Sequence, residues 1–124
     1  MRRILITGGA GFIGSQVALE CVKSGFEVAI VDDFSSGHKN VINILHNLVG
    51  CSIDLFEADI RNFKMLSEVF TTFAPDAVIH LAGVKSVSES LADPLKYYDI
   101  NVSGSVSLLA AMDLVECSRL VFSS

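Results

Sequence analysis

Glycines recur every third position just after the first apolar run of the chain, at Gly8, Gly11 and Gly14, with Gly9 between the first two. The segment satisfies G-x-G-x-x-G through Gly9, Gly11 and Gly14, and G-x-x-G-x-x-G through Gly8, Gly11 and Gly14. Glycine permits a tight turn and lets a phosphate come close to the backbone. A helix that opens there adds unpaired N–H groups and a partial positive charge. The chemistry implied is capture of a dinucleotide pyrophosphate; the plain alternative is a structural turn. Asp32 lies eighteen positions after Gly14 (32 − 14), at the end of the next apolar run. A carboxylate at that place accepts hydrogen bonds from the adenosine ribose and repels a 2′-phosphate. No Arg lies in the glycine loop to offset this, although Lys39 is downstream, so NAD is favoured over NADP.

Other residues give weaker signals. Asp59 and Ile60 follow a third apolar run and could meet an adenine edge and face, or Asp59 could simply cap the next helix. His80 lies within a strand pattern and reads as a satisfied core residue. Lys85 follows Ala82-Gly83 and could meet a phosphate or be solvated. Ser123 and Ser124 could hydrogen-bond a reacting alcohol or merely end a strand. No Ser/His/Asp or Cys/His arrangement and no metal-ligand cluster is evident, so no metal is expected.

These residues need a scaffold that brings them to one edge. Short apolar runs at 4–7, 27–31, 53–57, 77–81 and 120–122 read as strands. Between them, Ile13, Val17 and Cys21 mark one helix face, and Gly25 stops that helix. A second helix over 41–49 turns Val41, Leu45, Leu48 and Val49 inward. Phe63, Leu66, Val69, Phe70 and Phe73 mark a third. Pro94 opens a long helix through Met112. Strict alternation predicts an α/β fold, a doubly wound parallel (Rossmann) sheet in the order 3-2-1-4-5. Ligands then sit beyond the strand C-termini, between strands 1 and 4.

A length of 124 residues fits one domain, and 51% hydrophobic content gives it a substantial core. The net charge of −5 argues against nucleic acid or an anionic membrane as partner. Cys21, Cys51 and Cys117 are scattered and odd in number, which fits free thiols in a reducing cytoplasm. The opening apolar run is too short for a signal peptide, and no stretch is long enough for a membrane span.

Several segments together resemble the UDP-glucose 4-epimerase group of the extended short-chain dehydrogenase/reductases. They are Thr7 to Gly14, Val31-Asp32-Asp33-Phe34-Ser35-Ser36, Asp59-Ile60-Arg61-Asn62, His80 to Ser90, and Pro94-Leu95-Lys96-Tyr97-Tyr98-Asp99-Ile100-Asn101-Val102. The resemblance implies redox-neutral epimerisation at C4 of a UDP-hexose through a 4-keto intermediate, with NAD as an internal hydride store. It places Phe12 and Ile13 on the pyrophosphate and Asp32 on the ribose, with Asp33, Phe34, Ser35 and Ser36 among the cofactor-binding residues; by its own position Asp33 reads as solvated. Asp59 and Ile60 fall on adenine, and Leu81, Ala82, Gly83 and Lys85 on the nicotinamide side. Asn101 resembles an Asn kept near the active site. A sibling dehydratase, decarboxylase or reductase acting on a sugar nucleotide is the nearest alternative, and an inert dinucleotide-binding module is one of another class. The family's Tyr-x-x-x-Lys pair is absent, since Asn101 and Val102 stand four residues after Tyr97 and Tyr98. Ser124 and Asn101 are the nearest catalytic candidates. The chain is therefore expected to be an N-terminal portion, cut in or just after strand 5 and inactive alone, with a homodimer as the candidate assembly of the complete protein.

Overall fold

The computed structural model describes residues 2–35, 40–50, 53–83 and 91–123. Among the described residues five parallel strands lie in the order β3-β2-β1-β4-β5, as the alternation predicts. They are β1 (Arg3–Thr7), β2 (Glu27–Asp32), β3 (Asp54–Glu57), β4 (Ala77–His80) and β5 (Leu120–Phe122). The connecting helices are α1 (Phe12–Lys23), α2 (Asn40–Val49), α3 (Phe63–Phe73), α4 (Pro94–Tyr98) and α5 (Gly104–Leu114).

The centre of the sheet follows from side-chain period. Ile4 to Thr7 are all buried, because β1 has neighbours on both edges and helices on both faces. Alternate residues then go to opposite layers. Leu5, Ala29, Val31 and Val78 join Leu66 and Phe70 of α3 and Leu108 of α5. Ile4, Ile6, Val28 and Ile30 join Ala18 of α1 and Leu45 of α2. Phe70 is fully buried, a burial that stabilises the fold by about 1.5–3 kcal/mol. No described helix is long and apolar enough to cross a membrane.

Three expectations about helices are corrected. In α1 the fully buried positions are Gly14 and Ala18; Val17 and Cys21 of the expected face pack half-buried against the same core, but Ile13 is exposed. Small side chains let α1 approach the sheet, which leaves the larger stripe at the margin. In α2 Leu45 is buried but Leu48 is exposed, and the side chain of Val49 lies outside the described residues. The long helix from Pro94 is not uniform. Asp93 caps α4 by accepting from the Lys96 N–H at 3.1 Å, but a π turn over Asp99–Ser103 separates α4 from α5. The Gly104 N–H reaches back to the Asp99 carbonyl, and such one-residue expansions concentrate at functional sites.

Candidate functional site

The C-terminal ends of β1 to β4 open into a cleft of about 280 Å³. The glycine loop forms its floor. Gly8 has φ +73°, and its N–H donates to the Val31 carbonyl at 2.8 Å. A Cβ there would stand 2.8 Å from the Ala82 nitrogen, so the loop is pressed between the ends of β2 and β4. A Cβ on Gly14 would overlap the Gly8 carbonyl oxygen. On Gly11 it would meet only that oxygen, at 3.4 Å, and otherwise open space. No side chain caps α1, so its first-turn N–H groups have no partner within the helix. Phe12 and Ile13 line the cleft from this turn, largely exposed.

Asp32 is half-buried at the end of β2. One carboxylate oxygen accepts from the Ala10 N–H at 3.0 Å and the other from the Phe34 N–H at 2.7 Å. Each oxygen keeps a second lone pair toward the cleft. Asp33 and Ser35 line the same wall, and an Asp33 oxygen accepts from the Ser35 N–H at 2.9 Å. Phe34 is not part of the lining. Its φ of +61° turns it to pack against the α1–α2 layer.

Asp59 and Ile60 come from the end of β3. The Asp59 carboxylate is already engaged: Arg61 holds it through Nη2 at 2.6 Å and Nε at 3.0 Å, and reaches Asp99 of the π turn through Nη1 at 2.7 Å. Hydrogen bonds from Arg61 hold the Asp59 carboxyl below its ordinary range, against the opposing effect of partial burial. The Arg61 guanidinium is raised in turn by Asp59 and Asp99. Because the folded carboxyl pKa is depressed, the pair's contribution is complete above the unfolded value of about 3.9 and disappears as pH falls through the lower folded value. Arg61→Gln is expected to return Asp59 toward an ordinary carboxyl pKa. Carboxyl carbon NMR titration checks this, and an unchanged curve would show that the pair does not form in solution.

Leu81, Ala82 and Gly83 line the opposite wall beyond β4. Asn101 is not in the lining, but a Cβ on Gly83 would stand 2.8 Å from its Oδ1, so its side chain lies over this wall. Ser36, Lys85 and Ser124 lie outside the described residues. His80 is buried below the rim, as a core histidine should be. The cleft also includes Val31, Ala58 and Ile100, which the sequence reading gave no role although Val31 and Ile100 lie in the resembling segments; Val31 and Ala58 could have been read from their positions at strand ends. Ser123, at the same rim by the sequence reading, is in the lining.

The model of the NAD dependent epimerase/dehydratase family matches residues 4–124. The UDP-glucose 4-epimerase of Neisseria meningitidis serogroup C is 43% identical over 124 residues, covering 100% of this chain and 37% of that protein. The UDP-glucose 4-epimerase of Stenotrophomonas maltophila, a crystal structure with bound NAD and formylated UDP-arabinopyranose, superposes with a TM-score of 0.96. It is 40% identical, over 100% of this chain and 37% of that one. The Bifidobacterium longum UDP-glucose 4-epimerase, in complex with NAD+ and UDP, gives a TM-score of 0.96 at 33% identity, over 98% of this chain and 36% of that one. The chain thus spans about 37% of the length of the first of these relatives. With the sheet order, the glycine loop and the family match in agreement, the chain belongs to the NAD dependent epimerase/dehydratase family.

Proposed function

We propose that these residues are the NAD-binding portion of an enzyme that epimerises C4 of a UDP-hexose of the UDP-glucose/UDP-galactose type. The observation that carries the reading is Asp32. Its carboxylate is fixed by two backbone N–H groups at the mouth of a cleft whose floor is an uncapped helix N-terminus. The site fits a dinucleotide: the space over Gly11 admits a phosphate, the α1 N–H groups face it, and Asp32 can accept from the two ribose hydroxyls. Phe12 and Ile13 would flank the pyrophosphate, Asp33 and Ser35 the ribose, and Asp59 and Ile60 the adenine. Leu81, Ala82, Gly83 and Asn101 would flank the nicotinamide side. Phe34 would act only through its N–H bond to Asp32. Ser36 and Lys85 are proposed contacts on the sequence pattern alone. NAD when bound supplies the acceptor and donor of hydride; the chain's own residues bind and orient it.

The family's Tyr-x-x-x-Lys pair would come from residues outside this sequence, and within it Ser124 and Asn101 are the nearest catalytic candidates. These 124 residues alone would bind NAD without turnover. Free thiols at Cys21 and Cys117 suit a cytoplasmic enzyme. A coupled assay of the product of the complete reading frame should show interconversion of UDP-glucose and UDP-galactose. Failure to epimerise any UDP-hexose would sink the reading, and oxidised, dehydrated or decarboxylated products would favour a sibling enzyme.

The complete protein is also proposed to be a homodimer. Leu95, Tyr98, Val102, Val106 and Leu109 are all exposed, an apolar surface running along α4, the π turn and α5. Val102→Glu is expected to yield monomers in sedimentation equilibrium, and an unchanged mass would reject this surface.

A further inference from the structure

A chain of hydrogen bonds, buried at Thr7 and His80 and half-buried beyond them, runs under the cleft from β1 to the π turn. Thr7 Oγ1 accepts from the Leu81 and Ala82 N–H groups, both at 3.1 Å, with the Leu81 N–H shared with the Thr7 carbonyl at 3.0 Å. The same oxygen lies 2.6 Å from His80 Nδ1. On the other side of the ring, His80 Nε2 lies 3.2 Å from Ser105 Oγ, which donates to the Asn101 carbonyl at 2.6 Å.

Counting protons fixes the direction. A hydroxyl oxygen has two lone pairs and one proton. The two backbone donors use the lone pairs of Thr7, so its proton goes to His80 Nδ1, which must be bare. The ring proton then sits on Nε2 and donates to Ser105, whose own proton is committed to Asn101. The other tautomer would aim a third donor at Thr7 Oγ1 and leave the Thr7 proton without an acceptor. Thr7 and His80 are both buried, so neither arrangement is relieved by water.

We infer that this one-way relay sets the wall that receives the nicotinamide half of the dinucleotide, with His80 as its positioning residue; the inference rests on the NAD reading above. With the pyrophosphate over β1 and the adenosine over the ends of β2 and β3, the other nucleotide must lie over β4. The relay ties together the groups present there. At one end it holds the Leu81 and Ala82 N–H groups. At the other it holds Asn101, whose side chain lies over Gly83.

Ser105 allows a test without emptying the core, since it is only half-buried. In the product of the complete reading frame, freed of nucleotide, calorimetry should find NAD+ affinity about five- to tenfold weaker for Ser105→Ala. Affinity for ADP-ribose, which lacks nicotinamide, should stay within about twofold, and Ser105→Thr should restore NAD+ binding. An equal fall for both ligands, or no fall, would overturn the positioning role. Wild-type protein that binds neither ligand would overturn the dinucleotide reading and the role with it. Imidazole nitrogen shifts, assigned by comparison with His80→Gln, should show a neutral ring protonated at Nε2. A proton on Nδ1 would overturn the relay whatever the nucleotide results.

Discussion

Gly14→Ala should lose both stability and NAD+ binding, whereas Gly11→Ala, three residues earlier in the same loop, should lose only binding. At Gly14 the added carbon would overlap the Gly8 carbonyl oxygen and stand 2.7 Å from the Gly9 Cα. Both obstacles are backbone, so α1 must move away from β1. Overpacking of this kind costs about 1–3 kcal/mol. That movement carries the first-turn N–H groups of α1 away from the proposed pyrophosphate position, so NAD+ affinity should fall together with stability. At Gly11, φ is −78° and ψ is 178°, a conformation open to alanine, and the new methyl meets only the Gly8 oxygen at 3.4 Å. Its cost without ligand should be within about 0.5 kcal/mol. The methyl would occupy the space proposed for the pyrophosphate, so NAD+ affinity should fall by at least about tenfold. Thermal unfolding without nucleotide, paired with calorimetry, separates the two effects. Wild-type affinity in Gly11→Ala would show that the loop is a structural turn and not a cradle.

Replacement of Asp32 should have the next largest effect. Loss of charge-assisted hydrogen bonds to the ribose, worth about 1.5–3 kcal/mol, corresponds to about a ten- to hundredfold loss of NAD+ affinity. Asp32→Ala should also destabilise the free protein by about 1–3 kcal/mol, because the Ala10 and Phe34 N–H groups lose their acceptor in a partly buried place. Removal of the negative charge relieves repulsion of a 2′-phosphate, so the preference for NAD+ over NADP+ should narrow. Binding constants for both nucleotides check this. An unchanged ratio would mean that another group discriminates between them.

The sheet was legible because its central strands are apolar on both faces, and residues 4–7 and 27–31 fit no other role. Gly25 and Pro94 punctuate where their backbone preferences require. The misread features share a physical cause: the deciding contact was made by a group with little hydrophobic signal. Gly14 and Ala18 seat α1 because they are small, while Ile13, whose side chain suggested the inward face, points out. The π turn adds one residue without disturbing the three- and four-residue spacing of apolar positions, so Pro94 to Met112 reads as one helix. In the cleft, Asp32 was legible from its distance to the glycines, since strand length fixes where β2 ends. That Arg61 occupies the Asp59 carboxylate was not, because two residues of separation only bring them together in the turn formed there. The His80 side chain read correctly as core, but its place in a relay needs Thr7 and Ser105, which lie 73 and 25 residues away.

The extra residue of the π turn lets the chain change length without changing its faces. Each residue of an α-helix advances the azimuth by about 100°. A π turn spreads nearly one α-helical turn over one residue more, so α4 and α5 keep the phase of an α-helix one residue shorter. Deleting one position within Asp99–Ser103 should therefore leave a helix of regular pitch with Ser105 still under His80. Inserting a further residue would rotate α4 by about 100° relative to α5, because the one expansion is already in use. The segment should tolerate a one-residue gap far better than a one-residue insertion.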